Sequence, residues 1–258
     1  MLSEIIQNKL KEIAALKESI DTKSINQNSS KKRHFYKNLL KNQKIKKNSI
    51  IAEIKKRSPS KGILNNDLNP SKLAQEYQKG GATCLSVLTE KDYFNGSNND
   101  LISARQSVNI PVLRKDFILD PIQLYESKKL GADCILLILS ALKEEMFENL
   151  LDISNSLNLD VLVEVHDYEE LKIALAHNVS MVGINNRNLK TFDVSLKTSI
   201  ELAETFIDDD IVLVSESGIN TPEDILQLNN ANIYSFLIGE HLVKSKNKAK
   251  RMGELINV

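Results

Sequence analysis

The sequence predicts an α/β fold: a (β/α)8 TIM barrel with an N-terminal helical extension. Three observations carry this. Eight apolar runs of strand length lie at 49–54, 83–88, 111–113, 134–138, 161–165, 181–184, 211–214 and 235–238. They are mostly apolar throughout, as in parallel strands covered on both faces, and do not alternate as a sheet wetted on one side does. The segments between them carry helix start and stop signals. Eight β-then-α units close on themselves into a barrel. An open doubly wound sheet is the alternative, but its G-x-G-x-x-G fingerprint is absent. No linker or low-complexity stretch interrupts 49–258, so 1–258 reads as a single domain with 1–48 as its extension.

In the extension, Ile5, Leu10, Ile13, Leu16 and Ile20 recur mostly at three-to-four spacing, a helical stripe. Polar residues from Asp21 to Arg33 form a loop, and a short second helix begins near His34. Lys41, Lys44, Lys46 and Lys47 lack the aromatic platforms of an RNA patch and read as a solvated connector. Beyond the first strand, Pro70 opens a helix that stops at Gly80-Gly81. Asp120 caps the next helix, with Pro121 in its first turn and Gly131 ending it. Asp167 with Glu170, three residues on, gives a capping-box pattern, and Thr221-Pro222 repeats the device.

The totals narrow the function. Single α/β barrels commonly have about this length of 258 residues. Thirty-four basic residues balance 34 acidic ones, which disfavours a generic nucleic-acid binder. Cys84 and Cys134 lie in apolar runs and read as packed thiols of a reducing compartment. They and four scattered histidines form no metal cluster. With no leader pattern and no long apolar span, the expected location is the cytoplasm.

In this fold the chemistry sits at the C-terminal ends of the strands. The first strand runs into Glu53, Lys55 and Ser58, with Glu53 and Lys55 on one face because strands repeat every two residues. The third runs into Arg114-Lys115-Asp116, the fifth into Glu164 and His166, the sixth into Asn185-Asn186-Arg187. The seventh ends Ser215-Glu216-Ser217-Gly218, and the eighth ends at Gly239-Glu240. One charged terminus alone would mark a solvated rim; six converging termini mark a site, since apolar residues would close the barrel more cheaply than buried charges. Glu164, flanked by valines, and Lys115, two residues after Leu113, are the sharpest cases. Arg114 alternates with Lys115 and is expected in the helix layer or a salt bridge. His166, a lone histidine, reads as structural or as a pocket neighbour.

Ser217-Gly218 and Gly239-Glu240 carry a second signal. Glycine lets the backbone approach an anion, and N–H groups at a helix start point toward it. Barrels of this class often hold phosphate at these two loops. Each helix start contributes only about 0.3–1 kcal/mol, so a cation must share the work; Lys55 or Lys61 could supply it. These features together point to an enzyme acting on a phosphorylated, carboxylate-bearing molecule. Phe94, in Tyr93-Phe94-Asn95-Gly96, could cap a flat ring.

The chain resembles the indole-3-glycerol phosphate synthase family. The resemblance rests on residues 51–62 (IAEIKKRSPSKG), 84–89 (CLSVLT), 93–97 (YFNGS), 111–118 (PVLRKDFI), 162–166 (LVEVH), 182–189 (VGINNRNL), 214–219 (VSESGI) and 236–240 (FLIGE), in family order over nearly the whole chain. It implies decarboxylating, dehydrating ring closure of 1-(2-carboxyphenylamino)-1-deoxyribulose 5-phosphate to indole-3-glycerol phosphate, carbon dioxide and water in tryptophan biosynthesis. It implies Lys115 as general acid, with Glu53, Lys55, Glu164, Asn185 and Glu216 completing the catalytic set. Ser58, Phe94, Phe117, Arg187 and Leu237 would contact substrate. Ser217, Gly218, Gly239 and Glu240, the last through its backbone N–H, would join Lys55 at the phosphate. It also implies that the extension lies across the barrel mouth. No metal or cofactor is expected, because the activated ring drives decarboxylation. The expected partner is a small phosphorylated molecule, without nucleic acid or membrane, for a monomer or weak homodimer. Lys55 with Glu53 is read as the acid at the leaving hydroxyl, and Glu164 as base for the ring-nitrogen proton or as a cation stabiliser; exchange of the two acid roles is the rival. His241 departs from the family, which commonly has a short hydroxyl residue there. A sister isomerase barrel would need a Cys/Asp pair that Cys84, early on its strand, does not provide. A barrel that only binds a phosphorylated aromatic acid is the non-enzyme alternative.

Overall fold

The computed structural model describes residues 2–20, 32–65, 67–189, 191–205 and 208–258; most of the loop expected at 21–33 falls outside them. The barrel strands are β1 (Ser49–Ile54), β4 (Cys84–Leu88), β5 (Val112–Lys115), β6 (Cys134–Ile138), β7 (Asp160–Val165), β8 (Met181–Asn185), β9 (Val212–Glu216) and β10 (Ser235–Ile238). All are parallel, and β1 pairs with both β10 and β4 to close the ring. Between β1 and the next barrel strand, β2 (Arg57–Ser58) and β3 (Gly62–Ile63) make a small antiparallel ribbon.

Period-two alternation sorts the strand residues into two cores. Ile50, Leu85, Val112, Ile135, Val163, Val182 and Phe236 face the helices and belong to the large outer core. Ile51, Cys84, Leu113, Cys134, Leu136, Leu162, Met181, Val212, Val214 and Leu237 fill the interior. The interior is therefore packed solid below and becomes polar only at its top. Three strands run further than their apolar runs: β5 to Lys115, β8 to Asn185 and β9 to Glu216. Ladder hydrogen bonding persists where the inward side chain turns polar, and only the hydropathy signal stops.

The helices begin where their capping residues stand. Asn69 caps α3 (Pro70–Lys79), and Ser97 caps α4 (Asn98–Ser107). Asp120 and Gln123 form a full capping box on α5 (Pro121–Leu130), which ends on Gly131 at φ 85°. After α6 (Glu144–Ser156), Asp167 caps α7 (Tyr168–Ala176) by accepting the Glu170 N–H at 2.9 Å. The expected reciprocal half of that box does not form: the Glu170 carboxylate reaches one residue further back, to the His166 N–H at 2.8 Å. α8 (Lys197–Glu204) precedes α9 (Pro222–Asn230), where Thr221 and Asp224 do form the box. The chain closes with α10 (Glu240–Lys244) and α11 (Lys248–Ile256).

The extension splits between the two ends of the barrel. α1 (Leu2–Ser19) lies at the mouth, where Lys9, 4 % exposed, pairs with Asp116 at 2.9 Å just beyond β5. α2 (Phe35–Lys44) closes the opposite end. Its Phe35 and Leu39 join the interior core, and its polar groups tie down strand starts: the Tyr36 N–H donates to Asp160, Asn42 to Ser49, and Gln43 to the Ile211 carbonyl. The expectation that 1–48 lies over the mouth thus describes α1 and is corrected for α2. A bottom end lined by Leu113, Leu162 and Met181 needs an apolar cover. Lys41, Lys44, Lys46 and Lys47 are exposed, and Lys44 meets Asp210 at 2.8 Å.

Candidate active site

A cavity of about 760 Å³ opens at the C-terminal ends of the strands. Its floor is the last inward layer before solvent: Leu136, Ile138 and Leu237 from below, with Glu53, Lys115, Glu164, Asn185 and Glu216 above. All five polar residues occupy inward positions because each stands an even number of residues from an interior one, as Glu164 does from Leu162 and Glu216 from Val214.

Lys115 is at the centre. Its Nζ lies 2.9 Å from Glu164 Oε2 and 3.0 Å from Glu216 Oε2. Burial opposes its charge, but Glu164, Glu216 and Glu53 outweigh burial and hold its pKa above the ordinary value, so it is an ammonium at neutral pH. Glu164 uses both oxygens: Asn185 Nδ2 donates to Oε1 at 3.1 Å, and His166 Nε2 stands 3.3 Å from the same oxygen. Burial raises its pKa, and Lys115 and His166 together pull it below the carboxylate range. Glu216 differs. Burial, more than Lys115 can offset, pushes its pKa up to about 7, and its buried Oε1 has no hydrogen-bond partner. That oxygen lies against Gly183, where any Cβ would collide with it.

Glu53, 4 % exposed, pairs through Oε2 with Lys55 Nζ and packs on Gly239, where a side chain would again collide with the carboxylate. Both glycines are therefore the imprint of a neighbouring acid. The wall above Gly239 carries Ser217 at φ 67° and Gly218 at φ 84°, with Glu240 opening α10. Ser217 Oγ donates to Asn185 Oδ1 at 3.0 Å, and Asn185 Oδ1 also accepts the Arg187 N–H, so Asn185 ties three strand ends together. The Glu240 carboxylate turns away to Lys244 at 2.6 Å.

Phe94 and Phe117 line the cavity on loops fixed by buried acids. Glu90 accepts the N–H groups of Tyr93 and Phe94, and Asp116 accepts the Phe117 N–H at 2.8 Å. Arg187 donates to the Phe192 carbonyl at 3.2 Å, and Ser58, 7 % exposed, has no partner for its hydroxyl. Arg114 faces outward, as its alternation with Lys115 requires, onto Glu126 at 2.7 Å and Asp116 at 3.3 Å.

The residues that the sequence assigned to catalysis, substrate or phosphate all line this one cavity: Lys55, Lys115, Glu53, Glu164, Asn185, Glu216, Ser58, Phe94, Phe117, Arg187, Leu237, Ser217, Gly218, Gly239 and Glu240; Arg114 and His166 do not line it. The sequence reading passed over Leu2 and Ile5 of α1, Leu189, Phe192 and Val194 after β8, and Arg251 of α11. The α1 stripe was a visible signal for Ile5. Arg251 carried none; it arrives from a remote helix and donates to His241 Nε2 at 2.5 Å. Among the described residues, no group of three or more His, Cys, Asp or Glu is placed to hold a metal.

A parallel (β/α)8 barrel whose strand ends surround a cavity with a buried ammonium between carboxylates is a barrel enzyme of acid–base chemistry on a small molecule. Comparison with known proteins gives the particular family. The family model described as indole-3-glycerol phosphate synthase matches residues 2–255. The chain is 46 % identical over 214 residues to the indole-3-glycerol phosphate synthase of Acinetobacter baylyi, covering 83 % of this chain and 80 % of that protein. The chain belongs to the indole-3-glycerol phosphate synthase family. Among solved structures, thiamine phosphate pyrophosphorylase from Pyrococcus furiosus superposes with a TM-score of 0.60 at 16 % identity, covering 81 % of this chain and 94 % of that one. A designed cube-shaped protein cage superposes with a TM-score of 0.56 at 14 % identity, covering 81 % and 71 %. Those two likenesses are of fold alone.

Proposed function

We propose a division of labour for the family's reaction in this cavity. The enzyme is a carbon–carbon carboxy-lyase of tryptophan biosynthesis, acting on a small phosphorylated substrate. It converts 1-(2-carboxyphenylamino)-1-deoxyribulose 5-phosphate to indole-3-glycerol phosphate, carbon dioxide and water. The ring carbon bearing the carboxylate attacks the ketone carbon, and negative charge develops on the ketone oxygen. Lys115, held protonated, donates to that oxygen; positioned transfer of this kind is worth about 10²–10⁴ in rate. Loss of carbon dioxide from the attacking ring carbon restores the aromatic ring. The new hydroxyl then leaves with a proton from Lys55, which Glu53 holds in place. The accompanying proton comes from the methylene beside the ring nitrogen, since the indole keeps its N–H.

Glu216 is the best-placed acceptor for that proton. Its carboxylate lines the cavity and its pKa of about 7 suits exchange near neutrality, whereas Lys115 and His166 hold Glu164 ionised with both oxygens engaged. Glu164 therefore serves as the cation stabiliser. The phosphate is assigned to Ser217, Gly218, Gly239 and the Glu240 N–H, with Lys55 or Lys61 as cation, and the ring to the space between Phe94, Phe117 and Arg187. No cofactor is assigned a step. A cytoplasmic monomer is the state proposed for the protein, in keeping with two buried, unpaired thiols.

The observation that carries this reading is the Lys115 ammonium shared by Glu164 and Glu216 on the cavity floor. Purified protein mixed with the carboxyphenylamino ribulose phosphate should generate indole fluorescence with one equivalent of carbon dioxide. Binding of that compound without carbon dioxide release would make this a binding barrel.

A further inference from the structure

We propose that His166, clamped by Glu170, is a positioning residue that keeps Glu164 charged and aimed at Lys115. His166 is the first residue past β7 and continues its inward alternation behind Glu164. Its Nδ1 hydrogen-bonds Glu170 Oε2 at 3.1 Å, and its buried Nε2 stands 3.3 Å from Glu164 Oε1, at ion-pair distance without hydrogen-bond alignment. The ring therefore sits between two carboxylates. A neutral imidazole has one N–H and one lone pair, so it would suit one carboxylate and repel the other. Only the doubly protonated ring suits both. Burial works against that charge, and the two acids overcome it, raising the pKa to about 10.

Three features make this a built arrangement. Glu170 abandons the usual capping-box partner, the Asp167 N–H, and takes the His166 N–H at 2.8 Å, so one carboxylate fixes both backbone and ring. The groups facing the ring are few. β7 contributes Glu164 and α7 contributes Glu170, while the Asp167 carboxylate is used on the helix N-terminus. The 3-10 turn Leu139–Ala141 packed on this end has no titratable side chain. Lys115 lies on the far oxygen of Glu164, so the carboxylate is gripped from opposite sides by two cations and by Asn185. Glu164 is thereby held from swinging toward substrate, which suits a fixed anion and leaves proton exchange to Glu216. This inference rests on the reading of Glu164 as a participant in catalysis.

Two measurements on the full-length protein test it. Nitrogen-15 spectra of protein labelled in its four histidines should show, at about pH 8, one ring with both nitrogens protonated, absent from His166→Gln; the ordinary histidine is neutral there. A neutral-tautomer pattern for His166 in the wild-type protein would overturn the proposal, and it needs no variant to fold. In kinetics, His166→Gln should lower kcat about tenfold and leave KM within about twofold. That advantage of the wild type over His166→Gln should shrink as pH rises through about 10, where the ring loses its second proton. In Glu170→Gln the same loss should come at lower pH, because the ring keeps only one of its two anions. A rate ratio of one, or one that does not change with pH, with Glu164→Gln severely slowed, would defeat the clamp alone. Wild-type kcat in Glu164→Gln would defeat the underlying reading of the site.

Discussion

At the scale of single residues, Lys115 carries the largest consequence. Replacing it by Met should lower kcat by about 10²–10⁴ while leaving affinity for indole-3-glycerol phosphate within a few-fold, measured by quenching of product fluorescence. The same change leaves Glu164 and Glu216 buried without their shared cation, so unfolding free energy should drop by about 3–5 kcal/mol. Rates must therefore be taken well below the lowered melting temperature. Wild-type kcat in Lys115→Met would remove Lys115 from the chemistry. The sequence made Lys115 and Glu164 conspicuous because a charge within or just past an apolar run has no cheap structural excuse. It could not separate the roles of Glu164 and Glu216, since each simply follows an apolar residue. What separates them is neighbourhood: Lys115, Asn185 and the nearby His166 ring surround one, while one oxygen of the other is packed without a partner against Gly183. His166 stayed ambiguous for the same reason, as its meaning depends on Glu170, one helical turn away in sequence but behind it in space.

At the scale of elements, strand ends and the extension show where hydropathy stops being informative. The runs ended near Leu113, Ile184 and Val214, yet β5, β8 and β9 continue to Lys115, Asn185 and Glu216. An apolar run marks where both faces of a strand are covered; at the mouth one face meets the cavity, and the strand goes on in polar residues. Capping residues located α5, α7 and α9 directly, and Pro70 located α3, because the residue that starts a helix is adjacent to it in sequence. The sequence placed a short helix near His34 without revealing that its Phe35 and Leu39 belong under the barrel. Phe35, fully buried there, gives the element its test. Phe35→Ala should cost about 3–5 kcal/mol in urea unfolding and leave kcat unchanged, since it stands at the end opposite the cavity. A large fall in kcat with stability preserved would mean that α2 communicates with the mouth.

At the scale of the whole molecule, the buried acids and their cations set how stability responds to pH. His166 moves from an ordinary 6.5 unfolded to about 10 folded. A raised pKa contributes stability that is complete below the unfolded value and disappears as pH climbs through the folded one. Unfolding free energy should therefore decline between about pH 6.5 and pH 10, and His166→Gln should flatten that decline in denaturant titrations. Glu164 and Asp116 have lowered pKa values and act at the other end, with stability lost as pH falls below the ordinary carboxylate range. Equal slopes in wild type and His166→Gln above neutrality would show the ring to be neutral when folded. The floor helix α2 has a further implication, for biosynthesis. Its anchor points lie 124 residues downstream at Asp160 and 168 downstream at Ile211. At ribosomal speeds of about 5–20 residues per second, α2 waits on the order of ten to thirty seconds for the later anchor to be made. A helix made before any barrel strand is thus among the last to dock, and until then its oily side is a natural client surface for whatever guards nascent chains.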